Sequence, residues 1–369
     1  MTAMPSAATQ LLRIVTGSWL NWLLIAAPLS LWLRWQSGVS IWVFATSAIS
    51  LIPAAGLIGV ATEHLARRAG PTLGGFLNAT FGNAAELIIA IVALRAHHTA
   101  IVKASITGSI IGNLLLVFGL SCFVGGLRNG RQKFNRLSAS SATVMLFLAT
   151  VALVMPALVA LISFGSLEAH PAVIDTLSFW SSIVLLGVYA AGLIFAFRSQ
   201  RDPLRVDPGK VHGASLRAGP AIALLALATA FTAVEAEVLI GALEPAMHGL
   251  GMSELFAGVI VVALVGNAAE HYSAVTAASD NEMTLALEIS VGSSAQIALM
   301  VAPVLVLFSF ALGSPMSLVF NAFEITAIGL SVLAVALVSI DGESNWLEGL
   351  QLLGVYVILG IAFYLIPMK

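Results

Sequence analysis

The pentapeptide Gly-Asn-Ala-Ala-Glu occurs at residues 82–86 and again at residues 266–270, half of the 369-residue chain apart. Both copies lie inside long apolar stretches, where an ionisable side chain is costly to hold. An acid placed twice, at matching points of two halves, points to two repeats of one unit that build a single binding site.

The surroundings of the motif decide the fold class. Hydrophobic residues make up 59% of the chain and charged residues 9%, and the mean hydropathy is +1.00. Soluble domains average roughly 45–50% apolar and about 25% charged, so this composition belongs to an all-α polytopic membrane protein. About 20 apolar residues are needed to cross a bilayer as a helix. Runs of that kind lie near 15–35, 39–62, 74–96, 102–126, 139–164, 175–197, 218–243, 253–277, 284–311, 317–340 and 346–367, which predicts eleven spans. The first could be mistaken for a signal peptide, but one positive charge precedes it and the run continues to about Leu33, so it reads as a membrane span.

Positive charge gives an independent check. With connections alternating sides, the N-terminal side holds Arg13, Arg67, Arg68, Arg128, Arg131, Lys133, Arg136, Arg198, Arg201, Arg205, Lys210 and Arg217. The other side holds only Arg34, Arg95, Lys103 and Lys369. This asymmetry puts the N-terminus in the cytoplasm and the C-terminus outside. Proline, glycine and mixed charge mark 199–217 as a cytoplasmic linker. The expected organisation is an N-terminal segment with the first helix (1–36), a five-helix repeat (37–198), the linker, and a second five-helix repeat (218–369). An odd number of spans per repeat inverts the second relative to the first, and inverted repeats place a substrate site near the midplane.

Three residues apart on a helix, Asn83 and Glu86 share a face, as do Asn267 and Glu270. Two carboxylates and two amides converging on one spot suit a hard divalent cation. Calcium takes six to eight oxygens at roughly 2.3–2.6 Å, so backbone carbonyls or water must complete the shell. Gly82 and Gly266 allow the helix to loosen and offer carbonyls. The competing reading, a protonated acid bonding a neighbouring helix, explains one such glutamate more readily than a duplicated pair.

A second layer surrounds the motifs, with Ser109 and Asn113 on the fourth span and Ser293 and Gln296 on the ninth. Small residues in these stretches also serve close helix packing. Glu63 and Glu237, in the first helix of each repeat, are auxiliary acids suited to a cavity mouth or a proton relay, although Arg67 offers Glu63 an ordinary ion pair. Glu235 and Glu237 face different ways, so only one of them looks into a cavity. His271 directly follows Glu270 and is placed to tune its protonation. Glu288 and Glu324 read as structural. Cys122 is the single cysteine, which excludes an intramolecular disulfide and a cysteine-based zinc site.

These strings resemble the calcium/proton antiporters of the CAX (cation/proton exchanger) family, within the cation/calcium exchanger superfamily. The resemblance rests on the two pentapeptides, on His271, and on residues 291–299 and 341–349, and it extends from about Ala61 to the C-terminus. It implies eleven spans with the first outside the repeats, and exchange of calcium against protons by alternating access. It carries Glu86 and Glu270 over as the central cation and proton acids, with Asn83, Asn267 and His271 beside them and Glu63 and Glu237 as auxiliary acids. His64 stands where a second acid often follows the first, and the central loop has no acidic helix; both departures bear on regulation and cation preference.

The reading is a multi-pass antiporter of the bacterial cytoplasmic membrane, with calcium and protons as its transported partners, the lipid bilayer as its solvent and no resident cofactor. With a net charge of −2 and no basic stripe, no nucleic-acid partner is expected. A homo-oligomer is compatible with it. Its rivals on the same fold are a sodium/calcium exchanger and a monovalent cation/proton exchanger, and a cation channel is a third. A hydrolase lacks support, because no HExxH or GxSxG string occurs.

Overall fold

The computed structural model describes residues 14–167, 172–198 and 216–365. Most of the expected linker, residues 199–215, lies outside the described residues. After a 3-10 turn at Trp19–Ile25, thirteen helices follow: α1 Ala26–Ser37, α2 Ile41–Phe81, α3 Ala84–Arg95, α4 Thr99–Asn129, α5 Arg136–Phe164, α6 Ala172–Arg198, α7 Ala218–Gly241, α8 Leu243–Leu250, α9 Glu254–Gly266, α10 Ala268–Ser279, α11 Met283–Ala311, α12 Ala322–Val338 and α13 Trp346–Leu365. Two short strands, β1 Gln132–Lys133 and β2 Glu343–Ser344, pair antiparallel.

Local sequence explains where helices begin and end. Asn135 caps α5 by accepting from the backbone N–H groups of Leu137 and Ser138, and Ser253 caps α9 by accepting from Phe256. Asn321 and Glu324 form a reciprocal capping box at the start of α12. Gly165 and Gly251 end α5 and α8 in the left-handed conformation, at φ of 70° and 64°.

The chain is an all-helical polytopic membrane protein. Among the described residues seven helices are long and apolar enough to cross a membrane, or eight if the bent pair α8–α9 counts as one. The seven coincide with seven of the eleven expected runs. The other four are not continuous spanning helices, and each has a visible cause. The first run splits into the 3-10 turn and α1, with exposed Trp19 and Trp22 near one end and Trp35 near the other. The third is interrupted at Gly82-Asn83 and the eighth at Asn267. The tenth keeps only the 17 residues of α12. Within α2, a Cβ on Gly74 would meet the carbonyl oxygen of Ala66.

The helices pack as two compact units. The first holds α1, α2, α3 up to Ala93, α7, α8 and Val265–Ala269. Here α2 lies along α7, and Leu57, Ile58, Ala61, Leu224 and Ala228 form part of a buried apolar cluster. The second unit holds α4, α5, α6, the start of α9, α10 from Glu270, and α11 to α13. One close approach is between α4 and α9, where a Cβ on Gly108 would collide with the backbone of Val259 and one on Gly258 with the side chain of Ala104. A second glycine contact joins α4 to α13, with Gly349 against the backbone of Phe123. Glycine at such points lets helices associate in a solvent that offers no hydrophobic drive between them.

Candidate cation site

In the first unit, α2 ends at Phe81, Gly82 and Asn83 form a turn, and α3 begins at Ala84. Asn83 therefore precedes the new helix instead of continuing the old one, and its carbonyl accepts the N–H of Leu87 at 3.1 Å. Glu86 falls in the first turn of α3, where the positive end of the helix dipole favours an anion. The second motif repeats this construction: Asn267 interrupts the helix and Glu270 falls in the first turn of α10. Asn83 and Asn267 each stand directly before the helix that carries their glutamate, three residues ahead of it. Gly-Asn is a poor helix interior and a good helix start. Asn83 and Asn267 are both buried. A Cβ on Gly266 would lie 3.2 Å from Cγ of Glu86, so the glycine of the second motif packs directly on the acid of the first.

In the second unit, both oxygens of the Glu270 carboxylate are held. Asn113 donates from Nδ2 to Oε2 at 2.7 Å, and Ser293 donates from Oγ to Oε1 at 2.7 Å. The Asn113 amide also reaches Oγ of Ser293 at 3.2 Å. These residues, expected in an outer layer, sit directly on the acid. Asn113 lies in a π-helical stretch of α4, Gly112–Val117, and Ser293 follows another, Glu288–Gly292. Such local widening re-aims side chains and recurs at functional sites. Ser109 is buried on α4, and Gln296 is partly buried on α11. Partners that orient an ionic ligand are typically worth about 10–100-fold in metal affinity. Asn113→Ala and Ser293→Ala are each expected to weaken calcium-dependent activity by that factor, read as the shift in half-saturating calcium, with little change in thermal stability.

Glu63 forms an ion pair with Arg67 at 3.1 Å. Glu237 is exposed, whereas Glu235 is buried and accepts from Ser30 and Ser50. His271 lines an open cavity of about 500 Å³ together with Arg128, Tyr272, Thr276 and Asp280. A further polar group was not foreseen. Lys103 donates to the carbonyl of Val319 at 2.9 Å and to Ser317 at 3.2 Å, and Thr107 donates to buried Glu324 at 3.2 Å. The sequence signal was the lone lysine at the head of an apolar run, which reads as loop charge until the partner loop is placed. Among the described residues no cluster of three or more His, Cys, Asp or Glu side chains is present. The chemistry on offer is carboxylate, amide, hydroxyl and backbone oxygen, the donor set of a hard cation.

Residues 39–198 and 220–365 match the family model described as "Sodium/calcium exchanger protein". The chain belongs to the sodium/calcium exchanger family. Each matched segment of this exchanger carries one copy of the pentapeptide. The "Ca(2+)/H(+) antiporter" of Aphanothece halophytica is 43% identical to the exchanger over 367 residues, covering 94% of this chain and 96% of that one. The "Ca(2+)/H(+) antiporter ChaA" of Bacillus subtilis (strain 168) is 43% identical over 341 residues, covering 90% and 94%. The solved structure of native YfkE superposes with a TM-score of 0.81 at 40% identity, covering 94% of this chain and 99% of that one. A crystal structure of the H+/Ca2+ exchanger CAX shares the fold, with a TM-score of 0.69 at 17% identity, covering 97% and 92%. These relatives place the exchanger in the cation/proton exchanger branch, and its class is secondary transporter rather than enzyme.

Proposed function

We propose that this exchanger moves calcium across the cytoplasmic membrane against protons, with both ions competing for Glu86 and Glu270. The observation that carries the proposal is the pair of helix-start glutamates, each behind a Gly-Asn break, in a chain 43% identical to calcium/proton antiporters. Two carboxylates converging in a low-dielectric site cannot both stay ionised without a compensating charge. Calcium supplies two positive charges, and protons supply the same compensation when calcium leaves. Because the two ions exclude one another, each conformational cycle exchanges them. Asn83 and Asn267 add amide oxygens, Asn113 and Ser293 orient Glu270, and the helix breaks free carbonyls to complete the shell. Glu63, Glu237 and His271 serve the approach to the site, with Ser109 and Gln296 behind it.

The reading extends to topology: eleven passes, the broken and short helices included, with the second five-helix repeat inverted. Contacts inside the second unit agree with alternating connections. At one end, Asn129 and Gln132 after α4 bond Ala278 and Asn281 around the end of α10, and β1 pairs with β2 after α12. At the other end, Lys103 at the head of α4 reaches Val319 before α12, and Leu318 bonds Ser178 near the head of α6. Positive charge assigns the first of these ends to the cytoplasm.

The driving ion separates this proposal from its rivals. In everted vesicles a pH gradient, acid inside, is expected to drive calcium uptake, and a sodium gradient at constant pH is expected to drive none. Sodium-driven uptake insensitive to the pH gradient would establish a sodium/calcium exchanger instead. Failure to accumulate calcium above its outside level under either gradient would leave a channel as the account.

A further inference from the structure

The buried acid that the duplicated motifs do not use is Glu235, in the first unit. It is 1% exposed, in the last third of the membrane helix α7. Its partners are two serines from two other helices. Ser30 of α1 lies 3.1 Å from Oε1 and 2.9 Å from Oε2, and Ser50 of α2 lies 2.9 Å from Oε2. Among the described residues none of the charged or titratable side chains of the surrounding elements hydrogen-bonds or ion-pairs with Glu235. Arg34 ends α1, and Glu63 pairs with Arg67 near the far end of the α2 span. His64 is one residue on, and Arg68 donates to the carbonyl of Leu216. Glu237 of α7 is exposed, and Glu244 and His248 belong to α8.

Hydrogen counting shows what this cluster lacks. A serine hydroxyl has one hydrogen to donate. Ser30 Oγ is also 2.8 Å from the carbonyl of Ala27, and Ser50 Oγ is 2.9 Å from the carbonyl of Ser47. Two hydrogens therefore face two backbone carbonyls and both carboxylate oxygens. With the acid ionised, both serines can turn to it, but two neutral hydroxyls are then all that offsets a buried unit charge, which is costly, and the two carbonyls lose their donors. One added proton resolves the network. The acid donates from Oε2 to one serine, that serine donates to its carbonyl, and the other serine is free to donate to either acceptor. The contact distances of 2.9–3.1 Å are those of hydrogen bonds and leave no gap for an ion between the oxygens.

We propose that Glu235 is a second proton-binding site of the chain, placed where α7 meets Ser30 of α1 and Ser50 of α2. The site is separate from both pentapeptides and does not depend on which cation is transported. Its loss of a proton turns both serines toward the carboxylate and away from the carbonyls of Ala27 and Ser47 in their own helices.

The test is pH-difference infrared spectroscopy on purified protein carrying Glu86→Gln and Glu270→Gln, so that the motif acids are silent. A pH-dependent carboxylic C=O band is expected in this parent and is expected to be lost when Glu235→Gln is added. Identical spectra with and without Glu235→Gln would overturn the proposal. A band that responds to sodium at constant pH, and not to pH, would also overturn it in favour of a cation site. Should the triple variant not fold, Ser30→Ala with Ser50→Ala keeps the acid and removes its donors. The band is then expected to persist at a shifted frequency, and an unshifted band would contradict the assignment.

Discussion

Glu86→Gln and Glu270→Gln are each expected to abolish proton-driven calcium uptake in everted vesicles. Glutamine keeps the shape and much of the hydrogen bonding of glutamate and removes only its charge. A unit charge about 4 Å from another, at an effective dielectric constant near 20, is worth about 4 kcal/mol. That corresponds to roughly a thousandfold in affinity, and a doubly charged ion feels the loss more strongly. The two variants should behave alike, because the duplicated motif assigns the acids equal roles. Both should remain folded, since a glutamine side chain at position 270 keeps an oxygen to accept from Asn113 and can donate its amide to the Ser293 hydroxyl, and Gly266 still accommodates the side chain at position 86. Uptake retained in either variant, measured with radioactive calcium under a fixed pH gradient, would separate that residue from the site.

The largest expected effect on stability lies away from the acids, at the contact of α4 with α9. Gly108→Ala places a methyl group on the backbone of Val259. Backbone cannot rotate out of the way as a side chain can, so the two helices must part, opening the reciprocal contact of Gly258 with Ala104. Overpacking of a well-fitted interface costs about 1–3 kcal/mol and occasionally more, and a backbone clash belongs at the upper end. The expected outcome is a clearly lowered Tm and a loss of monodisperse protein on size exclusion in detergent. Gly187→Ala is the control: nothing lies within 4 Å of the added carbon, and the helix gains propensity. Equal behaviour of the two variants would show that the α4–α9 approach is not closed in the working protein.

Seven spanning helices were legible because hydropathy over some 20 residues is a local property that lipid enforces. The breaks at Gly82-Asn83 and Asn267 were half legible. Glycine announced a loosening, but only the fold shows that each asparagine starts a new helix with its glutamate in the first turn. The π-helical stretch that carries Asn113 has the same apolar composition as the α-helix on either side, so nothing in its sequence marks it. Asn113 and Ser293 were accordingly ranked behind the motif residues, although they bind Glu270 directly. Sequence position points to Glu237, which lies in the first helix of its repeat as Glu63 does in the other, and gives no sign of the burial of Glu235. Which of two acids two residues apart is buried depends on Ser30, more than 200 positions away, and no local pattern carries that contact.

The central claim is that calcium and protons occupy the same two carboxylates in turn. It is tested most directly by adding calcium to purified, weakly buffered protein and recording proton release. The account predicts release from the wild-type chain, reduced calcium binding with diminished release in Glu86→Gln and in Glu270→Gln, and neither in the double variant. Calcium binding of wild-type strength without proton release, or undiminished release from the double variant, would contradict it.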